Sequence, residues 1–247
     1  MKKRILSILL CCVMLVGLLP TVALAEGGVS YLDETGTSQT CDSATEVTDS
    51  VTEWTTGWYV VQGTVEIGSR VTVSGDVHLI LTDGCTLTVN GGIQVQDNDN
   101  NPDTPSTNAL TIYAQSTDKS TMGKLIANGA EDDYNAVIGG NEGNGYGGSG
   151  GAITINGGVV KATNTDGAGI GGGFGDYGGS GGTEITINGG SVIATGVNGA
   201  AIGGGYSGGG TGGDGGTITI TGGSVIATGN DNGAGIGSGY GTRGGSG

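Results

Sequence analysis

The 247-residue chain has one histidine, one phenylalanine and three prolines, and only 13% of its residues are charged. With proline this scarce and no glycine at every third position, collagen is excluded. Lysine and arginine together number eight against 23 aspartates and glutamates. That deficit of positive charge opposes binding to nucleic acid or an anionic membrane. Four cysteines, two of them at positions 11 and 12, make no disulfide framework. What the chain has in excess is glycine. Residues 1–138 hold 13 glycines and residues 139–247 hold 45. The second half is therefore no ordinary helical domain, because each interior glycine costs about 1 kcal/mol relative to alanine in a helix.

The N-terminus begins with Lys2, Lys3 and Arg4, followed by an apolar stretch at 5–19, Pro20, and the small residues Ala23 and Ala25. This order is that of a secretory signal peptide spanning residues 1–25. The apolar stretch is short for a membrane span, which needs about 20 residues. The chain after residue 25 keeps five basic residues and all 23 acidic ones, a formal −18. The expected location is extracellular, secreted or at the cell surface, with no membrane insertion once the signal is cleaved. Only Cys41 and Cys85 remain there, so a single disulfide is the most they can form. Cys85 is in phase with Leu87 and Val89, which reads as a small buried apolar residue.

Internal repetition decides the architecture. Ile153-Thr154-Ile155-Asn156 recurs as Ile185-Thr186-Ile187-Asn188 and again as Ile218-Thr219-Ile220-Thr221, each followed by Gly-Gly. A second segment follows each (159–163, 191–195, 224–228), then a third around Ile170, Ile202 and Ile236. The segments alternate with period two and are separated by glycine-rich turns, which is a strand signal. One such unit cannot bury its apolar face alone, whereas stacked units can. The fold class is all-β, a β-solenoid, most simply a three-sided right-handed parallel β-helix.

Stacking predicts inward columns of Val160, Val192 and Val225, of Ala162, Ala194 and Ala227, and of Ile170, Ile202 and Ile236. Lys161, Ile193 and Ile226 should face solvent, because an unpaired buried lysine is costly. Asn156 and Asn188 should form a side-chain ladder that Thr221 ends. The glycines suit bends that need positive φ. Residues 26–57 read as a polar N-terminal lead or cap, 58–138 as the first, tighter coils with loop insertions, and 139–247 as glycine-rich repeats of 32–34 residues. The last unit stops at a stretch that elsewhere leads into a new strand, so truncation at the C-terminus is expected.

Candidate sites are few. Phe174, Tyr206 and Tyr240 each fall four residues after an aligned isoleucine and should stack coil over coil, a stripe suited to the apolar face of a sugar ring. Asp97, Asp99, Asn101 and Asp103 supply the hard oxygens that Ca²⁺ prefers, although the EF-hand glycine and terminal glutamate are missing. Asp132-Asp133 reads as a solvated loop. Trp54, Trp58 and Tyr59 read as a cap over the first coil. Asn164-Thr165-Asp166-Gly167 is similar to the first acidic motif of polygalacturonases. That family's later Asp pair, Gly-His-Gly and Arg-Ile-Lys do not follow, and the sole histidine, His78, lies upstream.

By Gly-Gly-Thr217-Ile218-Thr219-Ile220 followed by Ser224-Val225-Ile226-Ala227-Thr228-Gly229, and by Gly-Ala168-Gly-Ile170-Gly-Gly, the chain resembles large glycine-rich repetitive surface proteins of Gram-positive anaerobes. It is also similar to carbohydrate-binding parallel β-helix modules of cellulolytic bacteria, some of which bind calcium and plant polysaccharide. The resemblance spans residues 58–247. It implies a secreted or cell-surface carbohydrate-binding or adhesion module without catalysis, a monomer or part of a longer chain, whose partner is a polysaccharide or a host or plant glycan. A structural stalk and a polysaccharide lyase or hydrolase relic are the alternatives.

Overall fold

Valine, isoleucine and threonine at alternating positions favour extended backbone, and the turns between them carry glycine. The computed structural model describes residues 28–96, 106–130, 134–163, 167–182 and 184–247. The expected signal peptide, the Asp97, Asp99, Asn101 and Asp103 run, Asp132-Asp133 and residues 164–166 lie outside the described residues. Within them every regular element is a β-strand.

An antiparallel hairpin comes first, pairing β1 (Val29–Leu32) with β2 (Ser38–Cys41). The solenoid starts at β3 (Thr45–Glu46), which pairs in parallel with β4 (Glu53–Val61). It therefore begins inside the segment that the sequence suggests as a lead or cap. The early coils continue with β5 (Thr64–Ile67), β6 (Val71–Leu81), β7 (Thr86–Asn90) and β8 (Ile93–Gln94). Next come β9 (Ala109–Ala114), β10 (Lys124–Asn128) and β11 (Ile138–Gly139). The three clear repeats follow: β12 (Ala152–Ile155), β13 (Val159–Thr163), β14 (Ile170–Gly171), then β15 (Glu184–Ile187), β16 (Ser191–Gly196), β17 (Ile202–Gly203), then β18 (Ile218–Ile220), β19 (Ser224–Gly229), β20 (Ile236–Gly237).

Pairing between coils is parallel throughout and defines three faces. The second half of β6 pairs with β4 and β9, and β12, β15 and β18 extend that face. A second face runs from β5 through β7, β10, β13 and β16 to β19. The third joins the start of β6 to β8, β11, β14, β17 and β20. In the two early coils one continuous strand rounds the corner from the third face to the first. β4 does so at a register shift between Thr55 and Gly57, and β6 at Gly75, where φ is 87°. In the three repeats that corner holds a glycine-rich loop instead.

The core is a set of columns along the axis. Leu79, Ile112, Ile155 and Ile187 lie in one register on the first face. Leu87, Leu125, Val160 and Val192 do so on the second, and Val71, Ile93, Ile138, Ile170 and Ile202 on the third. All are fully buried. Burying a side chain of this size stabilises by about 1.5–3 kcal/mol. Lys161 and Ile226 are exposed and Ile193 is half-buried, so that column faces outward as expected. The amide ladder forms as well. Asn188 Nδ2 donates to Asn156 Oδ1 at 2.9 Å, and Thr221 Oγ1 donates to Asn188 Oδ1 at 2.6 Å.

The hairpin does not sit on the end of the solenoid. It covers the outward side of the first face, where Val60, Ile80 and Tyr113 share one register and are buried beneath Val29, Cys41 and Ala44. The expected aromatic cap divides accordingly. Trp54 and Tyr59 turn into the main core, with ring centroids 5.7 Å apart. Trp58 turns outward, stacks on His78 at 4.4 Å, and meets Tyr31 of the hairpin at 4.8 Å.

Cys41 and Cys85 are both free thiols, one in the hairpin cluster and one in the main core. Burial raises the pKa of both thiols, and thiolate is the reactive form. A disulfide-exchange chromophore at pH 8 should leave Cys85 unlabelled in the native protein and label it fully in guanidinium. Prompt labelling of the native Cys85 would contradict its buried position.

Candidate functional site

The glycine-rich loops on the corner between the third and first faces carry the sequence's aromatic candidates. Their shape follows from hydrogen bonding within and between layers. Gly148 N donates to Asn141 O, Gly179 N to Gly173 O and Gly213 N to Gly205 O inside successive loops. Gly173 N donates to Gly148 O, Gly205 N to Gly179 O and Gly239 N to Gly213 O between them. The main chain is thus tied into one cross-linked column. The first loop is anchored to the early coils at Asn141. Its N–H donates to Gln96 Oε1, and its side-chain carbonyl accepts from Arg70 Nε at 2.9 Å.

This packing changes the reason for glycine. Gly173, Gly179, Gly205 and Gly213 do not have positive φ. A methyl group on any of them would overlap a backbone carbonyl of the neighbouring loop: Asn141 for Gly173, Gly148 for Gly179, Gly173 for Gly205 and Gly179 for Gly213. The requirement there is close approach of main chain to main chain, not a left-handed bend.

Phe174, Tyr206 and Tyr240 do line up. Phe174 and Tyr206 have centroids 5.3 Å apart and a tilt of 35°, and Tyr206 and Tyr240 lie 6.1 Å apart within 9° of parallel. The row has a fourth member, Tyr134, with its centroid 4.9 Å from Phe174. In the coil before Phe174 the aligned slot is Glu142, and Tyr134 reaches the row from the other side of β11. Phe174 N donates to Tyr134 O at 3.1 Å, which fixes that level. The sequence offset of four residues could not find a ring that precedes its isoleucine.

A second row escaped sequence reasoning. Tyr146 and Tyr177 stack at 5.1 Å and 23°, are joined by a parallel bridge, and are each 48% exposed. Thr211 and Arg243, themselves bridged, occupy the matching corner of the later loops. These residues fall eight, seven, nine and seven positions after their aligned isoleucines, so drift in loop length hid the register. Ser149, Ser180, Asp214 and Ser246 form a polar line beside them. Ser180 Oγ donates to Ser149 Oγ at 3.1 Å, and Ser246 N donates to Asp214 Oδ1 at 2.6 Å.

Two hollows open on this surface. One of about 400 Å³ is lined by Tyr134, Phe174, Glu142, Asn144 and Asp176. The other, about 280 Å³, lies against Tyr146, Tyr177, Ser180, Thr211 and Asp214. Ser207 Oγ donates to the Asp176 carbonyl and accepts from Gly210 N, which sets the loop between the aromatic rows. A third hollow, of about 390 Å³, lies elsewhere, over the Asn156–Asn188 ladder. Its far wall is the hairpin turn, where the Asp33 carboxylate accepts from Thr35, Gln39 and Thr37. Those hydrogen bonds, Thr35 and Gln39 first, hold the Asp33 carboxyl down at about 2.

The lone histidine is part of a different arrangement. His78 Nδ1 is 3.2 Å from the Tyr113 hydroxyl, and His78 Nε2 is 3.3 Å from Asp76 Oδ2. Tyr113 packs against Tyr31 and Trp58, and burial, with the charges of neighbouring acidic groups behind it, pushes its hydroxyl up to about 12. A hydroxyl held neutral under a hairpin is a poor nucleophile. Among the described residues no group of three or more His, Cys, Asp or Glu is placed to hold a metal ion.

Three stretches of the chain, residues 153–174, 185–206 and 218–240, match the family described as beta helix repeat. The matches support a parallel β-helix-like family. Each matched stretch ends on the aromatic slot, at Phe174, Tyr206 and Tyr240. The remainder of each glycine-rich loop, with the second aromatic row, lies outside the matched pattern. No curated protein and no solved structure matches the chain.

Proposed function

We propose that this parallel β-helix is a secreted or cell-surface module that binds carbohydrate and has no catalytic activity. The observation that carries the reading is the row Tyr134, Phe174, Tyr206 and Tyr240, four rings repeating at coil spacing along one loop surface, with polar side chains and hollows beside them. An apolar strip repeating at regular intervals suits successive sugars, and hydroxyl and amide groups alongside suit their polar edges. The signal-like N-terminus and the likeness to glycine-rich surface proteins of Gram-positive anaerobes support the location.

The test is a glycan array with the full chain and with Tyr206→Ala/Tyr240→Ala. At about 0.5–1.5 kcal/mol for each ring contact, the double variant should bind roughly ten-fold or more weakly while remaining folded. Absence of binding to any glycan, with rod-like scattering of the native protein, would establish the stalk instead. Release of reducing or unsaturated sugar ends would make it an enzyme.

A further inference from the structure

We infer that the hollow over the Asn156–Asn188 ladder is a second carbohydrate site, which takes the end of an uncharged sugar chain. This rests on the carbohydrate reading for the class of ligand but not on the aromatic row, which lies at a different corner. The hollow follows from unequal connections between the first and second faces. The repeats turn this corner with the short links 156–158, 188–190 and 221–223, whereas the coil before them uses residues 115–123. The long link and the hairpin turn therefore rise beside a ledge of asparagine and glycine, and together they bound about 390 Å³. Small-molecule sites usually occupy about 300–1,000 Å³. From Asn156 to Ser224 the ledge covers two coil steps of about 4.8 Å, roughly 10 Å along the axis.

The walls are preformed. Gln115 Nε2 donates to Ser30 O at 3.1 Å, which ties the long link to the hairpin. Ser116 Oγ donates to Asp83 Oδ1 at 2.8 Å, and Gly84 N donates to Thr121 O at 2.6 Å, which tie it to the coil beneath. Walls already in place need little ordering when a ligand enters. A separate observation points to a ligand. The ladder is polarised, since Thr221 donates to Asn188 and Asn188 donates to Asn156. Asn156 is its last member and lines the hollow, and among the described residues its Nδ2 has no acceptor. The ladder thus presents a polarised donor to whatever occupies the hollow. A peptide cannot add as a strand along this ledge, because β12, β13, β15 and β16 are paired on both edges. The ledge itself carries amides, a hydroxyl and glycines but no charge. On the walls Asp33 is engaged by its own turn, and Lys119 and Glu34 are opposite in sign. Leu32, Ala114 and Met122 add apolar surface. Hydroxyls that both donate and accept, carried on an apolar ring, match these groups. The long link closes one end of the ledge, so a chain enters by its terminus.

The experiment is calorimetric titration of the full chain with the trioses of β-1,4-linked glucose, mannose and xylose, and with the triose of galacturonate as the charged comparison. At least one neutral triose should bind. Thr117→Trp and Ser224→Trp fill the hollow from its two ends along the axis, and each should weaken that triose at least ten-fold while the circular dichroism stays native. Tyr206→Ala/Tyr240→Ala should bind the triose as the native chain does. Hydrogen exchange gives a readout without substitution: saturating triose should slow the amides of 156–158 and 188–190. Slowing confined to the loops at 172–182 and 204–215 would overturn the hollow as a site. Native-like affinity in both tryptophan variants, with binding lost in Tyr206→Ala/Tyr240→Ala, would also overturn it and leave the carbohydrate reading standing on the aromatic row. Galacturonate binding as tightly as the neutral trioses would overturn the choice of an uncharged sugar. No binding of any sugar to the native chain would overturn both readings together.

Discussion

Ile202→Ala should cost about 2–5 kcal/mol, the usual range for emptying a fully buried isoleucine site. Ile236→Ala should cost under about 1 kcal/mol. The two isoleucines occupy one register of the third face, directly paired across β17 and β20. Ile202 has no exposed surface, and Ile236 is 47% exposed. The position in the repeat and the chemical change are the same, so the difference reports burial between coils. Urea unfolding followed by circular dichroism measures it. At roughly 2–4 °C per kcal/mol for a chain of this size, Ile202→Ala should lower Tm by about 5–15 °C. Similar losses in the two variants would mean that the column is not a continuous core. The damage from Ile202→Ala should also spread, because each coil is held only by its neighbours.

The second large effect concerns glycine. Gly205→Ala places a methyl group against the Gly173 carbonyl, and Gly173→Ala places one against the carbonyls of Asn141 and Gly140. Both obstacles are backbone and cannot rotate away. The loop would have to separate from its neighbour, weakening the inter-loop hydrogen bonds from Gly173 to Gly148 and from Gly205 to Gly179. Overpacking of this kind costs about 1–3 kcal/mol or more. Gly209→Ala is the control, in a loop of the same composition. Nothing lies within 4 Å of a methyl group there and φ is not positive, so stability should be unchanged or slightly raised. A common response of all three glycines would mean that flexibility, not packing, explains their abundance. The same column supports the aromatic rows, so Gly205→Ala should also disturb the spacing of Phe174 and Tyr206.

Much of the fold was legible in the residues themselves. The offsets between Ile153, Ile185 and Ile218 gave the register, and the lysine at 161 told which side of the second face is wet. Asn156, Asn188 and Thr221 could be placed in one ladder because a solenoid turns sequence period into contact. The hairpin was less visible, although a signal existed. Tyr59-Val60-Val61 and Leu79-Ile80-Leu81 are apolar without alternation, which is the mark of a strand buried on both sides. That run needed a cover, and the strands at Val29 and Cys41 provide it. Tyr134, Tyr146 and Tyr177 lay beyond sequence reasoning, because loop length drifts between repeats and a ring can join a row from either side of a strand.

The amino-acid order by itself determined that this chain winds into stacked β coils, since alternating isoleucine, valine and threonine at a period near 32 residues can bury their apolar sides only against their own repeats. Tertiary structure alone decided which rings meet and why the loops are glycine. Those outcomes depend on how close one loop's backbone comes to the next, a distance that no spacing along the chain encodes.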